Sequence, residues 1–215
     1  ITDGTNTSTQ AIAITVTNEN DSTPAITSAN TFSKAEGGTA VATLTGTDAD
    51  GSTPTFSTTL AGVDAADFAL TEAGVLTFAA TTDFELPADN GTDNVYNITV
   101  TITDGTNTST QAIAITVTNV NEAPVITSTS FGSVAEEQTA VGSLAVTDDA
   151  GDSITFAITG GVDSDKFAVS GSTLAFSGFT PNFESPTGGV GNNSNTYLVQ
   201  ITATDGGSLT DVETV

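Results

Sequence analysis

The chain has 215 residues, and its 26 Asp and Glu side chains face only two basic ones, Lys34 and Lys166, so its formal net charge is −24 at pH 7. Such a chain repels nucleic acid and anionic membranes, which excludes both as partners. It has no Cys and no His, which excludes disulfides and thiolate metal sites. No apolar run reaches the roughly 18 residues that a transmembrane helix needs.

Acidic composition can also indicate disorder, but 37% of these residues are hydrophobic and they fall at strand-like spacing. A folded β protein is therefore expected. Bound metal or high salt is the natural way to neutralise its self-repulsion.

The chain opens with a segment that it repeats. Residues 1–18, "ITDGTNTSTQAIAITVTN", return unchanged at 102–119. A looser copy runs through the second half: "SKAEGGTAVATLTGTDADG" (33–51) matches "SVAEEQTAVGSLAVTDDAG" (133–151), "GVDAADFAL" (62–70) matches "GVDSDKFAV" (161–169), and "TDFELP" (82–87) matches "PNFESP" (181–186). A period of about 100 residues fits one β-sandwich per repeat.

Strand patterns follow in chain order. Residues 68–78 predict a hairpin whose turn is Glu72 to Gly74. In residues 95–103 apolar and polar side chains alternate, the period-2 pattern of a half-buried strand. After the "DGTN" turn, residues 111–118 predict the antiparallel partner of that strand. Without a sustained helical period, the fold class is all-β: tandem Greek-key, immunoglobulin-like sandwiches arranged end to end.

Domain boundaries are expected near Pro24 and Pro124, because a residue without an N–H ends strand pairing. Residues 1–22 are then the C-terminal strand or strands of a preceding repeat plus a linker. Residues 23–122 form a complete repeat, and residues 123–215 form a second whose last strand is truncated.

The acids concentrate at the turns and junctions of this unit. D-x-D and D-x-E spacings suit a hard divalent cation, because alternate residues of an extended segment point the same way and their carboxylates can converge on one ion. Without a cation that convergence is repulsive. Taken singly, motifs such as "DADG" are also ordinary turn sequences.

In combination, these motifs resemble tandem cadherin repeats of the kind found in bacterial surface adhesins. The resemblance rests on Glu36, on "DFE" at residues 83–85, on the junction "NVNEAP" at residues 119–124, on "TDDAG" at residues 147–151 and on "ATDGG" at residues 203–207. It covers the whole chain and implies Ca²⁺ bound at each junction between repeats.

The resemblance also implies the ligands. The junction between the two complete repeats would use Glu36, Asp83, Glu85, Asn119, Asn121, Glu122, Asp148 and Asp205. The upstream junction would use Asn18, Asn20, Asp21, Asp48, Asp50 and Asp104. Asp64 lies in a loop and has no ligand role in this scheme.

This sequence departs from the family pattern at several ligand positions. The first linker Asp is replaced by Asn18 or Asn119, and the second is Asp21 in one junction but Glu122 in the other. Ala150 stands where Asp50 predicts a carboxylate, which Asp149 or Asp152 could replace. Fewer charges imply weaker sites or fewer ions.

The function expected from the resemblance is a non-catalytic, calcium-rigidified extracellular rod in a microbial surface adhesin or fibre. Its partners would be neighbouring repeats of the same chain, and homophilic or other cell-surface proteins. Two alternatives stay open: an adhesive module that binds a glycan or protein, and a filament subunit that assembles by terminal strand exchange. Asp83 and Glu85 could form a glycosidase pair, but no cleft or nucleophile accompanies them.

Overall fold

The computed structural model describes residues 1, 3–189 and 193–215. The chain divides into two compact units, unit 1 (residues 1–119) and unit 2 (residues 120–215). In the described residues the only helical segments are two 3₁₀ turns, Ala65–Asp67 and Ser164–Lys166. None of them is long and apolar enough to cross a bilayer. The all-β prediction is confirmed.

Unit 1 is a sandwich of two main sheets. Its strands are β1 (Ala25–Ile26), β2 (Thr31–Ala35), β3 (Ala40–Thr43), β4 (Gly46–Thr47), β5 (Thr55–Phe56), β6 (Phe68–Leu70), β7 (Val75–Phe78), β8 (Val95–Thr103) and β9 (Thr108–Thr118). One sheet has the order β2-β9-β8-β5 and the other β3-β7-β6, while β1 pairs with β4. β2 runs parallel to β9, and the remaining pairs are antiparallel.

The two predicted hairpins are confirmed. β6 pairs with β7 across the predicted turn, and β8 pairs with β9 from Val95↔Thr116 to Thr103↔Thr108. The apolar positions of β8 and β9 are buried between the sheets, while alternate positions carry Thr or Asn towards the outside. This alternation buries one face of each strand in the core, which also contains Val41, Leu44, Phe56, Phe68, Leu70, Leu76 and Phe78.

Unit 2 repeats this plan. Its strands are β10 (Val125–Ile126), β11 (Ala140–Ser143), β12 (Val146–Thr147), β13 (Thr155–Gly160), β14 (Phe167–Ser170), β15 (Thr173–Phe176), β16 (Gln200–Thr204) and β17 (Thr210–Thr214). The sheets have the orders β11-β15-β14 and β13-β16-β17, and β10 pairs with β12. The unit therefore has a sandwich core of its own, formed by Ile126, Leu144, Leu174, Val199, Ile201 and Ala203.

The segment before β1 has a different character. Residues 8–22 contain no strand, and Ile12, Ile14 and Val16 are 78%, 85% and 91% exposed. Near its start, Asp3 Oδ1 accepts hydrogen bonds from the N–H groups of Thr5 and Asn6 and forms a turn. The assignment of residues 1–22 to a preceding repeat stays a prediction.

A buried aspartate ties the loop before β8 to the sandwich. Asp64 is 2% exposed, and its carboxylate accepts hydrogen bonds from the N–H groups of Asn90 (2.7 Å) and Asn97 (2.6 Å). Gly62 has φ +110°, and a Cβ there would lie 2.6 Å from the Asn97 carbonyl oxygen, so only Gly allows the approach. Asp64 is therefore a structural residue of the loop.

The same device recurs in unit 2. Asp163 is 3% exposed and accepts hydrogen bonds from the N–H groups of Gly189 (2.7 Å) and Leu198 (2.9 Å). The preceding Gly161 again has positive φ, +99°, and lies against the Val199 backbone. Recurrence at equivalent positions indicates that the shared "GVD" sequence encodes this tie.

We predict that Asp64→Asn destabilises unit 1 by about 2 kcal/mol, because one of the two backbone N–H groups would then face an amide N–H₂ and lose its charged acceptor. The exposed Glu72→Gln, which removes the same charge, is the matched control. Chemical denaturation of both variants checks this, and equal midpoints for the two would contradict it.

Candidate metal centre

The first acidic group lies at the end of unit 1 where β9 finishes. Carboxylate oxygens of Glu36, Asp83 and Glu85 lie within 4.8 Å of one another. Glu36 is placed there by its backbone N–H, which donates to the carbonyl of Thr118, the last residue of β9. The three residues were predicted to converge, and the structure brings them together. Three negative charges at this distance repel one another unless a cation lies between them.

Hydrogen bonds from both sides fix the peptide groups of Phe84, the residue between Asp83 and Glu85. The Phe84 N–H donates to the Glu36 carboxylate, and the Phe84 carbonyl accepts from Asn94 Nδ2 at 2.9 Å. Asn94 is 8% exposed and has φ +62°, a left-handed conformation that Asn tolerates. Residue 84 is thus held between a candidate ligand and a buried amide.

The loop that carries Asn94 is itself held by an aspartate. Asp89 is 3% exposed and accepts hydrogen bonds from the N–H groups of Asp93 and Asn94. Burial raises its pKa, but these backbone donors outweigh burial and the pKa of Asp89 is lowered. It therefore stays ionised at neutral pH and keeps its hold on the loop.

Unit 2 has the same frame with one charge fewer. Phe183 N–H donates to Glu136 at 3.2 Å, and the Phe183 carbonyl accepts from Asn195 Nδ2 at 2.9 Å. Asn182 replaces Asp83, yet its Oδ1 accepts from the Ser185 N–H at 2.9 Å, as Asp83 Oδ1 does from the Leu86 N–H at 2.8 Å. One oxygen of Asp83 thus supports the turn, a role that Asn can also fill.

The second acidic group lies at the end of unit 2 where the chain enters. Carboxylate oxygens of Asp148, Asp152 and Asp205 lie within 4.8 Å of one another. Asp205 Oδ2 accepts from Asn121 Nδ2 at 2.7 Å, which ties the entering segment to the group. Asp148 and Asp205 were predicted as ligands, whereas Asp152 was only one of two alternatives for a missing carboxylate.

Asp148 is the unusual member of this group. Both of its carboxylate oxygens are buried, and neither accepts a well-formed hydrogen bond from the described residues. Burial and the neighbouring charges of Asp205, Asp149 and Asp152 raise the pKa of Asp148, although the Asp149 backbone N–H acts to lower it. Buried carboxylate oxygens with so little hydrogen bonding are costly to ionise, and a cation would satisfy them.

The equivalent residues of unit 1 explain why Asp148 lacks a side-chain donor. Asp48 accepts from the Asp50 N–H (2.8 Å) and the Ser52 hydroxyl (2.8 Å). In unit 2 the residue aligned with Ser52 is Asp152, so a donor has been replaced by a second acceptor. Asp48, Asp50 and Asp104 do not form a three-carboxylate group of this kind among the described residues.

The remaining upstream candidates, apart from the exposed Asp21, form hydrogen bonds with other residues of unit 1. Asp104 Oδ1 accepts from the N–H groups of Asn107 and Thr106, which lower its pKa. Asp50 accepts from the N–H and hydroxyl of Ser22. Asn18 Nδ2 donates to the Asp50 carbonyl, Asn20 Nδ2 donates to the Thr106 hydroxyl, and Asp21 is exposed. These contacts attach the segment before β1 to unit 1.

The linker candidates of the second junction differ in their contacts. Asn119 is exposed, and the Glu122 N–H donates to Asp149 Oδ2 at 3.2 Å. Asp149 is 8% exposed and binds this linker as Asp50 binds Ser22. Asp149 therefore assumes the linker contact that Ala150 cannot make.

No protein-family model matches the chain, and no curated protein matches it. Solved structures do. Human protocadherin-24 EC1-2 has a TM-score of 0.61 and 17% identity, over 92% of this chain and 94% of that chain. Both units have the cadherin-type β-sandwich fold.

Two further structures support this fold. Drosophila N-cadherin EC1-4 has a TM-score of 0.58 and 20% identity, over 90% of this chain and 48% of that chain. Mouse cadherin-23 EC22-24 has a TM-score of 0.55 and 20% identity, over 91% and 66%. The chain thus spans about half of the N-cadherin structure. At these identities the likeness concerns the fold alone.

We predict that Asp148→Asn raises the unfolding temperature of unit 2 in a chelating buffer, because it removes an unpaired charge from between two carboxylates. With a divalent cation present, the difference in unfolding temperature reverses. The cation stabilises the variant less than the unaltered chain, so the variant unfolds at the lower temperature. Glu137→Gln, an exposed residue of the same unit, is the control. Calorimetric melting with and without the cation checks both signs; a fall in the chelating buffer would be contrary evidence.

Proposed function

We propose that this chain is a calcium-rigidified segment of an extracellular rod, a non-catalytic adhesion module of a microbial surface adhesin or fibre. The observation that carries the proposal is the pair of acidic groups at the ends of the two sandwiches. One lies where β9 leaves unit 1, and the other lies where the chain enters unit 2. Residues 119–124 separate β9 from β10, the first strand of unit 2.

The donors present fit calcium. They are carboxylate and amide oxygens, the hard ligands that this ion prefers, and the chain has no Cys or His to favour a softer metal. Asp148, whose two carboxylate oxygens are buried and accept no well-formed hydrogen bond from the described residues, supports the fit independently of any motif. When bound, calcium supplies positive charge and coordination to roughly six to eight oxygens.

The residues that would hold the ion come from three parts of the chain. Unit 1 contributes Glu36, Asp83 and Glu85, and the linker contributes Asn119, Asn121 and Glu122. Unit 2 contributes Asp148 and Asp205, to which we add Asp149 and Asp152. A second set would combine Asn18, Asn20 and Asp21 of the segment before β1 with Asp48, Asp50 and Asp104 of unit 1. A preceding repeat would complete it.

The proposed mechanism converts ion binding into stiffness. With the acids unneutralised, Glu36, Asp83 and Glu85 repel any other acidic surface, so a short linker joins the units as a mobile hinge. Once the charges are neutralised, carboxylates of both units and the linker share common partners, which fixes the angle between the units. A stiff array extends the reach of whatever it carries.

The same chemistry supports the proposed extracellular location. Modules that bind calcium outside cells have dissociation constants of roughly 10⁻⁴–10⁻³ M, and sites weakened by Asn for Asp substitutions suit that range. Neighbouring repeats of the same chain are the first partners. Homophilic or other cell-surface contacts would be made by the rod's outer faces or by other parts of the protein.

The rival glycan-binding function finds less support. Sugar platforms are built from exposed aromatic side chains, and Phe183 is the only aromatic residue among the large exposed hydrophobic side chains of the described residues. Phe68, Phe78 and Tyr96 pack against one another in the unit 1 core instead. Screening a glycan array with and without calcium separates the two functions.

We predict that calcium at about 100 times its dissociation constant stabilises the chain by roughly 3 kcal/mol, and that chelation restores the lower melting temperature. Small-angle scattering should show the two-unit chain becoming flexible on chelation. Glu85→Gln should reduce both effects, whereas the charge-matched Glu72→Gln should leave both unchanged. If chelation alters neither melting nor scattering, the proposed function is wrong.

We also predict that Asn94→Gly weakens calcium binding by about tenfold, because the amide that holds the Phe84 carbonyl is lost while Gly keeps the left-handed backbone. Thr92→Gly is the matched control, since Thr92 has φ +51° in the same loop and is exposed. Calorimetric titration with calcium checks this. A positioning role is contradicted if the two Gly variants bind equally.

A further inference from the structure

The loop before β8 contains the only Asn-Gly pair in the sequence, Asn90 followed by Gly91. In such a pair the backbone nitrogen of the second residue can attack the side-chain amide carbon of the first, and Gly has no Cβ to obstruct the approach. Asn90 and Gly91 are the central residues of a turn that the Thr92 N–H closes by donating to the Asp89 carbonyl at 3.2 Å. The hydrogen bond that closes this turn therefore does not use the Gly91 N–H.

The Asn90 side chain is open to this attack. Asn90 is exposed, and its backbone N–H donates to Asp64 Oδ1 at 2.7 Å. Its side-chain amide makes no hydrogen bond to any of the described residues. The backbone of Asn90 is thus fixed, while the amide carbon that would react is neither buried nor occupied.

Gly91 lies between two carboxylates. A Cβ at Gly91 would lie 3.2 Å from Asp89 Oδ2 and 3.2 Å from Asp93 Oδ1. Burial raises the pKa of Asp89, but backbone N–H groups, that of Gly91 among them, lower it. A carboxylate that attracts the Gly91 amide proton increases the electron density on the nitrogen that attacks. The surroundings of Gly91 therefore favour the reaction.

The other side chains that precede a Gly in this way are all engaged. Each of these four aspartates accepts at least one backbone N–H, and they are Asp3, Asp50, Asp104 and Asp205. An ionised carboxylate is also a poorer electrophile than an amide. Among the described residues, Asn90 is therefore the side chain before a Gly that is both electrophilic and free.

Unit 2 shows that the fold does not need an Asn at this position. Gly189 stands where Asn90 stands, and its N–H donates to Asp163 Oδ1 at 2.7 Å, as the Asn90 N–H does to Asp64. The contact requires only a backbone N–H group. The Asn90 side chain is thus separate from the structural role that its backbone fills.

We propose that Asn90 is a site of spontaneous modification, at which the Gly91 nitrogen forms a bond to Asn90 Cγ. The nitrogen loses its proton to solvent base, and the Cγ–Nδ2 bond breaks as Nδ2 takes a proton from water and leaves as ammonia. Water then opens the five-membered succinimide ring at one of its two carbonyl carbons, which gives an aspartate or an isoaspartate at position 90. The net reaction is hydrolysis of one amide, with water as the co-reactant and no change in oxidation state.

The product changes the loop that supports the first acidic group. Isoaspartate adds a methylene to the backbone, and its carboxylate adds a negative charge close to Asp64 and Asp89. Those two aspartates hold the loop through the backbone N–H groups of Asn90 and Asn94, and Asn94 supports the Phe84 carbonyl. The reaction therefore loosens unit 1 with time, whereas unit 2 lacks the reactive pair. The modification itself does not rest on cation binding.

The first test follows the reaction by peptide mapping with mass spectrometry, in a chelating buffer so that cation binding has no part in it. At mildly alkaline pH, residue 90 should show the mass increase that accompanies exchange of –NH₂ for –OH, and isoaspartyl methyltransferase should label it. Asn97, which is exposed but precedes Ile98, should keep its amide. The folded chain should react within about tenfold of the rate of a peptide of residues 86–96. If the folded chain retains the Asn90 amide after the peptide has fully reacted, the proposal is wrong.

The second test uses two variants. Gly91→Ala should slow the reaction at least about tenfold, equivalent to roughly 1.4 kcal/mol of activation free energy, because its Cβ would crowd the attacking nitrogen and both carboxylates. Asn90→Gly copies the residue of unit 2, so it should abolish the reaction and keep the hydrogen bond to Asp64. On ageing, the melting temperature of unit 1 should fall in the unaltered chain and stay constant in Asn90→Gly. An equal fall in both chains, or a Gly91→Ala chain that reacts as fast as the unaltered one, would overturn the proposal.

Discussion

Mutual repulsion among carboxylates is the constraint on which the rest of this structure depends. The chain has a formal charge of −24, and the described residues contain one ion pair, between Lys166 and Asp165. Nearly every acid must therefore be stabilised by something other than a basic side chain. The described acids show two arrangements, and some candidate ligands, such as Asp205, combine both.

The first arrangement is backbone donation. Asp64, Asp163 and Asp89 are almost fully buried and accept hydrogen bonds from main-chain N–H groups, which satisfy a carboxylate without adding charge. The second arrangement is the convergence of three carboxylates, as at Asp148, Asp152 and Asp205. These converging groups favour a cation, because the charges within each group repel one another. The two kinds are connected, since the loop held by Asp64 and Asp89 carries Asn94, which positions the Asp83 to Glu85 segment.

Much of the fold follows from the sequence because strand periodicity is local. The alternation in β8 predicted both its bounds and its buried face, and the alternation that follows the "DGTN" turn predicted its partner in β9. The convergence of Glu36 with Asp83 and Glu85 was predictable only through the family resemblance, because 47 positions separate Glu36 from Asp83 and no local pattern connects them.

Asp64 was missed because a single loop aspartate has the same sequence signal whether it caps a turn or is buried. Asp152 was left as an alternative because its aligned residue is Ser52, and the consequence of that exchange depends on the geometry around Asp148.

The measurement that tests the central claim most directly is anomalous diffraction from crystals of the chain grown with calcium. If converging carboxylates are cation sites, calcium peaks should lie within coordinating distance of Glu36, Asp83 and Glu85, and of Asp148, Asp152 and Asp205, while Asp64 and Asp163 contact none. Crystals grown at saturating calcium in which neither acidic group contacts calcium, and in which Asp148 is instead hydrogen-bonded or protonated, would contradict the account.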